Sequence, residues 1–284
     1  MSALAKVLTL IQDPPPEFVF EIAADGIAMS RTRPPAALQH VPLAPGVLAP
    51  SPVKDNVLDY ETFARTVAKL VPASSARRRG CTLILPDNSM RIAVLDFDSL
   101  PEKEDERLSL IKFRLRKTLP FDIDEAAFSY CIQKGNQVLA AIAPVEVIGR
   151  YEAPFRAAGL QPGLVTSSSL ALLDLLPVTG SFLVAHKSPG ALTVLAIENG
   201  SLTLSRSLEL TAHTADPLEE ISADLYPTLV YIEDQTGVRP QKLMVAGLDG
   251  DTDRLAADLG IEVEAISAEY PGLSGYLRSL KVAA

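Results

Sequence analysis

The sequence contains the same order of predicted elements twice, and this order limits the folds that it can adopt. The first unit consists of strand-like apolar runs at 17–24, 27–33 and 37–42 and an amphipathic helix at 59–71. The second unit consists of strand-like runs at 182–186, 191–197 and 201–208 and a helix at 217–235. We therefore expect an α/β protein with mixed sheets of the α+β kind, in which two lobes share one plan. An unrelated α+β fold remains the alternative.

The region between the two units contains a charged helix within 99–119. Glu102 lies three residues after Ser99, which is the spacing of a capping box. One apolar face of this helix is expected to pack on the core, whereas Leu110 and Phe113 form a second stripe among basic residues. This second stripe either packs against a neighbouring segment or binds a partner.

Short strands are predicted on both sides of this helix. Runs at 81–85 and 90–97 are expected to pair as a hairpin around the turn-forming residues Pro86-Asp87-Asn88. Runs at 126–133 and 138–143 follow the helix, with a turn at Gly135-Asn136 between them.

The composition excludes several classes of function. A formal net charge of −9 argues against a general nucleic-acid binder and against direct docking on anionic lipid. No apolar run is long enough to span a membrane, so we expect a soluble, cytoplasmic protein. Cys81 and Cys131 stand far apart without a CxxC pair, so no redox or zinc motif is predicted. The histidines, which also lack the spacing of metal ligands, are His40, His186 and His213.

No set of residues predicts a catalytic site. The run Ser167-Ser168-Ser169 lacks a G-x-S-x-G context and is expected to cap a helix. Asp122 and Asp124 could form a paired-carboxylate site, but they fit better as residues that shape a turn.

Three motifs resemble the PilM family. They are Leu-Ile-Leu-Pro-Asp at 83–87, Phe-Asp-Ser-Leu-Pro-Glu-Lys at 97–103 and Leu-Pro-Phe-Asp-Ile-Asp-Glu at 119–125. PilM proteins are actin-like proteins of the type IV pilus inner-membrane platform and are related to the cell-division protein FtsA. The resemblance covers about 17–266 and implies an actin-like, ribonuclease H-like fold with two lobes.

The resemblance also implies a division into subdomains. The expected parts are 17–78 for the first part of subdomain 1A, 79–160 for an inserted subdomain 1C, 161–179 for the return to 1A, and 180–284 for subdomain 2A. Only residues 211–216 connect the third strand of the second unit to its helix. We therefore expect the helical 2B subdomain of the family to be reduced or missing.

The nucleotide motifs of the family are degenerate in this sequence. Where the first phosphate loop of the family reads like Asp-Ile-Gly-Ser-Ser, residues 21–25 read Glu-Ile-Ala-Ala-Asp, which removes a glycine and places a carboxylate beside the phosphates. The second phosphate loop lacks the carboxylate that organises the metal, and the adenosine motif is partly kept. Any remaining nucleotide contacts would fall on Asp25, Gly26, Lys187, Ser188, Gly247 and Gly250. The last two glycines also fit purely structural turns.

The resemblance therefore implies a scaffold rather than an enzyme. It implies binding of the cytoplasmic tail of a PilN-type bitopic membrane protein, with Leu110 and Phe113 as a candidate contact surface. Other pilus platform proteins are further expected partners, as is a second copy of the chain, and the inner membrane would be reached through these partners. We expect no cofactor and no metal. A nucleotide-binding actin-like ATPase that uses ATP and Mg²⁺ is the alternative.

Overall fold

The computed structural model describes residues 15–33, 37–73, 79–210, 217–237, 239–248 and 252–282. Its strands are β1 (Phe18–Ala23), β2 (Gly26–Arg31), β3 (Gln39–Pro42), β4 (Arg79–Leu85), β5 (Arg91–Leu95), β6 (Ala126–Ile132), β7 (Val138–Pro144), β8 (Leu160–Ser167), β9 (Ser181–Ser188), β10 (Ala191–Glu198), β11 (Ser201–Glu209), β12 (Lys242–Ala246) and β13 (Glu262–Ala265). Its helices are α1 (Tyr60–Leu70), α2 (Glu104–Arg116), α3 (Val145–Ala157), α4 (Ser168–Leu172), α5 (Pro217–Thr236), α6 (Thr252–Leu259) and α7 (Pro271–Val282). Within these described ranges, no helix is both long enough and apolar enough to cross a membrane.

The two large sheets have the same strand order, as the repeated pattern predicts. The first sheet has the order β3-β2-β1-β4-β8, and the second has the order β11-β10-β9-β12-β13. In each sheet the first three strands of the unit are antiparallel neighbours, and the fourth joins the first strand in parallel. A helix, α1 or α5, connects the third strand to the fourth. The duplicated plan is therefore confirmed in three dimensions.

The first lobe is stabilised by an apolar core that its sheet forms with α1 and α3. Asp59 caps α1 by accepting a hydrogen bond from the Thr62 amide at 3.0 Å. Phe63 and Val67 of α1 are fully buried, and the ring of Tyr151 from α3 meets the ring of Phe63 edge-on, with 6.0 Å between centroids. Burial of one apolar side chain such as Phe63 or Val67 stabilises a fold by about 1.5–3 kcal/mol, so the buried face of α1 favours its docking on the sheet.

The strands on either side of Pro86-Asp87-Asn88 do not pair with each other, so the predicted hairpin was wrong. β4 lies between β1 and β8 in the first large sheet, whereas β5 is an edge strand of a separate three-stranded sheet, β5-β7-β6. A 3₁₀ turn, Asp87–Ser89, redirects the chain from one sheet to the other. Asp87 and Ser89 are both buried in this turn, so its polar residues are anchored inside the protein instead of facing solvent.

The small sheet is covered on both faces. Helix α2 covers one face through Ile111 and Leu115, which are fully buried. Ile92 and Leu139 on the other face pack against the apolar cluster of the second lobe. The small sheet with its helix runs from 91 to 144, a narrower range than the predicted inserted unit at 79–160, because β4 and α3 pair or pack with the first large sheet.

Helix α2 begins at Glu104, so the capping box predicted for Ser99 and Glu102 was wrong. Lys103 occupies the N-cap position and makes no side-chain capping bond. The Arg107 guanidinium instead donates a hydrogen bond to the Glu102 carbonyl oxygen at 3.2 Å. The chain before the helix is therefore held by a side chain from the second turn, which leaves Ser99 without a capping role.

Helix α7 returns from the second sheet to the first lobe. It follows β13, yet it packs on α4 and β1. The Thr82 hydroxyl in β4 donates a hydrogen bond to the Tyr276 hydroxyl oxygen at 2.9 Å. A Cβ atom at Gly275 would overlap the Ala171 carbonyl oxygen, so a glycine is needed for the close approach of α7 to α4. The last helix therefore ties the second half of the chain to the first lobe.

Candidate functional site

Equivalent hairpins from the two lobes line one cleft of about 920 Å³. The β1–β2 turn contributes 21–26, and the β9–β10 turn contributes 186–190. The loop after β12 and the segment 265–271, which runs from the end of β13 to the start of α7, also line it. Single residues of other elements contribute the rest of the lining, and these are His40, Pro86, Ser168, Leu210, Glu220 and Ile221. The duplicated architecture places these two turns opposite each other, since each one follows the first strand of its own sheet.

The structure brings together five of the six residues predicted for a nucleotide site. Asp25, Gly26, Lys187, Ser188 and Gly247 all line the cleft. The sixth, Gly250, lies outside the described residues, as do His213 and the connection at 211–216 on which the expectation of a reduced 2B subdomain rests.

The two described glycines in this set differ in what surrounds them. A Cβ atom on Gly26 would overlap the imidazole of His40, and one on Gly247 would overlap the carbonyl oxygen of Lys187. Gly247 also has a φ angle of +68°, which side-chain-bearing residues adopt only with strain. Packing and backbone conformation therefore account for Gly247 without a nucleotide, whereas the exposed His40 ring could turn away from a side chain at position 26.

Glu21 is a buried carboxylate at the base of the cleft. Its Oε1 atom accepts hydrogen bonds from the Ser168 hydroxyl and from the Gly272 amide, the latter at 3.3 Å, and its Oε2 atom accepts one from the Leu273 amide at 2.8 Å. The two amides belong to the first turn of α7, where a helix favours a negative charge. Burial raises the pKa of Glu21 above its usual value, although these hydrogen bonds act in the opposite direction. Glu21 therefore joins β1 to the N-terminus of the last helix.

A second buried network links the first lobe to the second. The His186 Nδ1 atom lies 3.0 Å from Asp87 Oδ2, and the Ser169 amide donates to Asp87 Oδ1 at 2.8 Å. Burial acts to raise the pKa of Asp87, but the hydrogen bond and the charge of His186, with the Ser169 amide, lower it overall. Burial acts to lower the pKa of His186, but the hydrogen bond and the charge of Asp87 raise it overall. The lowered pKa of Asp87 and the raised pKa of His186 both favour the state in which the two side chains are charged.

Sequence reasoning missed these networks. Glu21 was considered only as the first residue of a degenerate loop, and Asp87 was assigned to the turn of a hairpin. His186 was considered only among the histidines that lack the spacing of metal ligands. The available signal was a carboxylate in the middle of the apolar run at 17–24, since buried acids require partners.

The charge of the cleft is predominantly negative. Its described lining contains four residues with carboxylate side chains, which are Glu21, Asp25, Glu220 and Glu269. Among the described lining residues the cations are Lys187 and, when protonated, the histidines. A triphosphate would therefore meet more negative than positive charge, and Glu21 already uses both of its oxygens to hold Ser168 and α7.

The candidate partner surface lies on α2, away from this cleft. Phe113 is 59% exposed, and the Lys117 ammonium lies 5.5 Å from the centre of its ring. Leu110 is half-buried. The two residues therefore form a modest apolar surface bordered by a cation.

Several smaller expectations can be compared with the structure directly. Ser167 caps α4 by accepting a hydrogen bond from the Leu170 amide at 3.2 Å, as predicted. Asp122 accepts one from the Asp124 amide at 2.9 Å, which confirms its role in a turn. Within the described part of the chain, no three metal-ligating side chains come together.

No protein-family model matches the sequence, and no curated protein matches it significantly. Solved structures do resemble it in three dimensions. A chain of the PilM–PilN type IV pilus biogenesis complex superimposes with a TM-score of 0.70 at 20% identity, over 89% of each chain. A Bacteroides thetaiotaomicron protein of unknown function with an actin-like ATPase fold gives a TM-score of 0.60 at 14% identity, over 98% of each chain. The cytoplasmic domain of EpsL, an inner-membrane component of the Vibrio cholerae type II secretion system, gives 0.58 at 10% identity, over 94% of each chain.

These similarities agree with the duplicated sheets, with the helix between the third and fourth strand of each unit, and with the cleft between the lobes. At these levels of identity they establish architecture. The chain has the actin-like ATPase fold.

Proposed function

We propose that the protein is a non-catalytic, PilM-like scaffold of a type IV pilus or a related secretion machine. The observation that carries the proposal is the hydrogen bonding of Glu21. This residue occupies the position that aligns with the first phosphate loop of the family, and its carboxylate holds Ser168 and the N-terminus of α7. The base of the cleft is therefore used for internal structure.

Electrostatics supports the same proposal. Two unit charges 4 Å apart interact by about 4 kcal/mol at an effective dielectric constant of 20, so carboxylates beside a triphosphate oppose binding substantially. Asp25 is exposed in the β1–β2 turn, where a phosphate-binding loop would place backbone amides and a hydroxyl. Lys187 alone does not offset this repulsion.

Calorimetric titration with Mg-ATP tests the absence of nucleotide chemistry. We expect no binding in the micromolar range. Micromolar binding that is weakened by Lys187→Ala and left unchanged by the surface control Lys103→Ala would contradict the proposal and would favour the ATPase alternative. Lys103 serves as the control because it is an exposed lysine on the small-sheet unit.

The proposed partner is the cytoplasmic tail of a PilN-type membrane protein, which would recruit the scaffold to the cytoplasmic face of the inner membrane. Similarity to a chain of the PilM–PilN complex over 89% of both chains supports this choice. A pull-down with the immobilised tail peptide tests it, and we expect retention of the wild-type chain. Failure of the peptide to retain the protein would contradict the proposed partner.

The surface on α2 can be tested in the same pull-down. We expect the double substitution Leu110→Asp and Phe113→Asp to weaken retention, because charge would enter an apolar contact. The matched control is Val178→Asp, since Val178 is 80% exposed and lies outside α2. Equal retention of both variants would remove this surface from consideration while leaving the partner itself in place.

A nucleotide-binding actin-like ATPase is the second candidate. The size of the cleft favours it, because about 920 Å³ is within the range of small-molecule sites. Lys187 and Ser188 at the end of β9 are the groups that would meet a phosphate. The test is the rate at which inorganic phosphate is released from ATP. A higher rate for the wild-type chain than for a Lys187→Ala variant would support this candidate.

A further inference from the structure

Strand β6 presents an open backbone edge. The small sheet has the order β5-β7-β6, and β7 pairs with β6 along all of Ala126–Ile132. On the other side of β6, no strand pairs with it in the described part of the chain. Ile132 is 48% exposed, and Ser129 and Cys131 are exposed as well. The edge is therefore accessible to another strand.

The composition of β6 also distinguishes it from the other sheet edges. Exposed edges are usually protected by short length, charge, proline or a bulge. The other five edges are protected in these ways. β3 has four residues and ends at Pro42, and β13 has four residues including Glu262 and Glu264. β8 contains Pro162 and a register shift opposite Cys81/Thr82, β11 contains Arg206, and β5 has five residues that begin with Arg91. By contrast, β6 has seven residues, Ala-Ala-Phe-Ser-Tyr-Cys-Ile, with no charge, proline or glycine.

The direction of the open hydrogen-bonding groups follows from the turn after β6. The Gln133 amide donates to the Gln137 carbonyl oxygen at 2.7 Å, so the backbone groups of Gln133 face β7. Because hydrogen-bonded pairs alternate along antiparallel strands, the groups of Ser129 and Cys131 also face β7. The amides and carbonyls of Phe128 and Tyr130 therefore face outward and are available to a new strand.

We infer that β6 pairs with β6 of a second copy of this chain, antiparallel and with Ser129 on the two-fold axis. In this register Phe128 of one copy hydrogen-bonds with Tyr130 of the other, which uses the outward-facing groups. The two Ser129 residues form a pair without mutual hydrogen bonds, as the alternation requires. The small sheets of the two copies then become one continuous sheet.

The charges beside β6 favour a second copy of the chain as the partner of this edge. They also favour the alignment with Ser129 on the axis. With Ser129 on the axis, the 3₁₀ turn before β6 of one copy, which contains Asp124, comes beside the 3₁₀ turn after β6 of the other, which contains Lys134. The side chain of Asp124 is 59% exposed. Its Oδ2 atom lies 2.7 Å from Arg116 and its Oδ1 atom lies 3.9 Å from Lys112, so a further cation would approach the carboxylate from its exposed side. Opposite charges that face each other across strands stabilise pairing. This inference goes beyond the proposed function and does not depend on it.

Analytical ultracentrifugation of the full chain over a range of concentrations tests the pairing. We expect wild type to form dimers as the concentration rises. Ser129→Lys should weaken the dimer roughly tenfold or more, because two ammonium groups would face each other at the axis. Ser181→Lys is the matched control, since it makes the same substitution at an exposed strand residue outside the small sheet and should dimerise like wild type. A monomeric wild type, or a Ser129→Lys variant that dimerises like the control, would overturn the inference.

Oxidative cross-linking tests the register separately. Paired residues without mutual hydrogen bonds have Cα atoms about 4.5 Å apart, which permits a disulfide. Ser129→Cys in a Cys131→Ala background should therefore give a covalent dimer. Native Cys131 should not cross-link to its counterpart, because it would lie opposite Ala127. A dimer that cross-links through native Cys131, and not through the thiol introduced by Ser129→Cys, would overturn the assigned register.

Discussion

The Nδ1 atom of His186 lies 3.0 Å from Oδ2 of Asp87, and this buried contact joins the two lobes. Asp87 follows β4 of the first sheet, and His186 lies in β9 of the second. Each residue has 3% of its surface exposed. Since β4 and β9 belong to different repeats of the same plan, the pair fixes how the two halves sit beside the cleft.

Replacement of His186 by alanine should destabilise the protein strongly. It would leave Asp87 buried without its cationic partner, and removal of one member of a buried pair costs about 3–5 kcal/mol. Urea unfolding measures the change in the free energy of unfolding. His40→Ala is the matched control, because His40 is exposed and contacts the Tyr270 ring at 5.5 Å, so its loss should cost about 0.5 kcal/mol. A cost for His186→Ala as small as that of the control would contradict the role of the pair.

The stability of the protein should depend on pH through this pair, with a different sign for each partner. The pKa of His186 is raised in the folded state, so its contribution is complete below its ordinary value of 6.5 and is lost as pH rises through the folded pKa. The pKa of Asp87 is lowered, so its contribution is present above 3.8 and is lost as pH falls through the folded pKa.

Thermal unfolding across the pH range measures both effects. The raised pKa of Glu21 acts in the same direction as that of His186, because its contribution is lost as pH rises from 4.5 through the folded value. His186→Gln and Glu21→Gln should therefore each remove part of the loss of stability with rising pH. If the melting temperatures of both variants change with pH as that of wild type does, then the protonation of neither group contributes to the pH dependence of stability.

Two glycines in helices should respond in opposite ways to alanine. A Cβ atom at Gly272 would lie 2.7 Å from Ser168 Oγ and 2.9 Å from Glu21 Oε1, so Gly272→Ala should cost about 1–3 kcal/mol through overpacking. At Gly149 in α3, no atom lies within 4 Å of the position that a Cβ atom would occupy. Gly149→Ala should therefore be neutral or should stabilise the protein by up to about 1 kcal/mol. Chemical denaturation of the two variants tests the pair. Equal effects would mean that Glu21 and Ser168 do not constrain the start of α7.

Gly247 and Gly260 provide a comparison at matched backbone conformation. Their φ angles are +68° and +65°, but only Gly247 abuts another group, the carbonyl oxygen of Lys187. Gly260→Ala should cost about 1–2 kcal/mol, which is the cost of left-handed backbone alone. Gly247→Ala should cost clearly more, because the loop after β12 must also move away from β9. Similar melting temperatures for the two variants would argue for a role of Gly247 other than packing.

Periodicity was sufficient for the elements of the large sheets. The alternation and length of the runs at 182–186, 191–197 and 201–208 identified three antiparallel strands. The positive φ angles of Asn199 and Gly200 fit a hairpin turn between the last two of them. The prediction of a hairpin around Pro86-Asp87-Asn88 failed, because Asp87 in this turn lies inside the protein. The capping-box spacing also failed at Ser99, because the helix begins at Glu104 and Lys103 occupies the N-cap position. In the first failure, the contact of Asp87 with His186, 99 residues away, outweighed a local preference for an exposed turn.

By itself, the sequence determined the two strand–strand–strand–helix units, because hydrophobic periodicity and turn residues act over a few neighbouring positions. Only the tertiary structure decided what the polar residues of the cleft do. Glu21 meets amides 251 and 252 residues away in the chain, and Asp87 meets His186 99 residues away. No local pattern encodes such partners, since they become neighbours only when α7 crosses back to the first lobe and the two sheets close around the cleft.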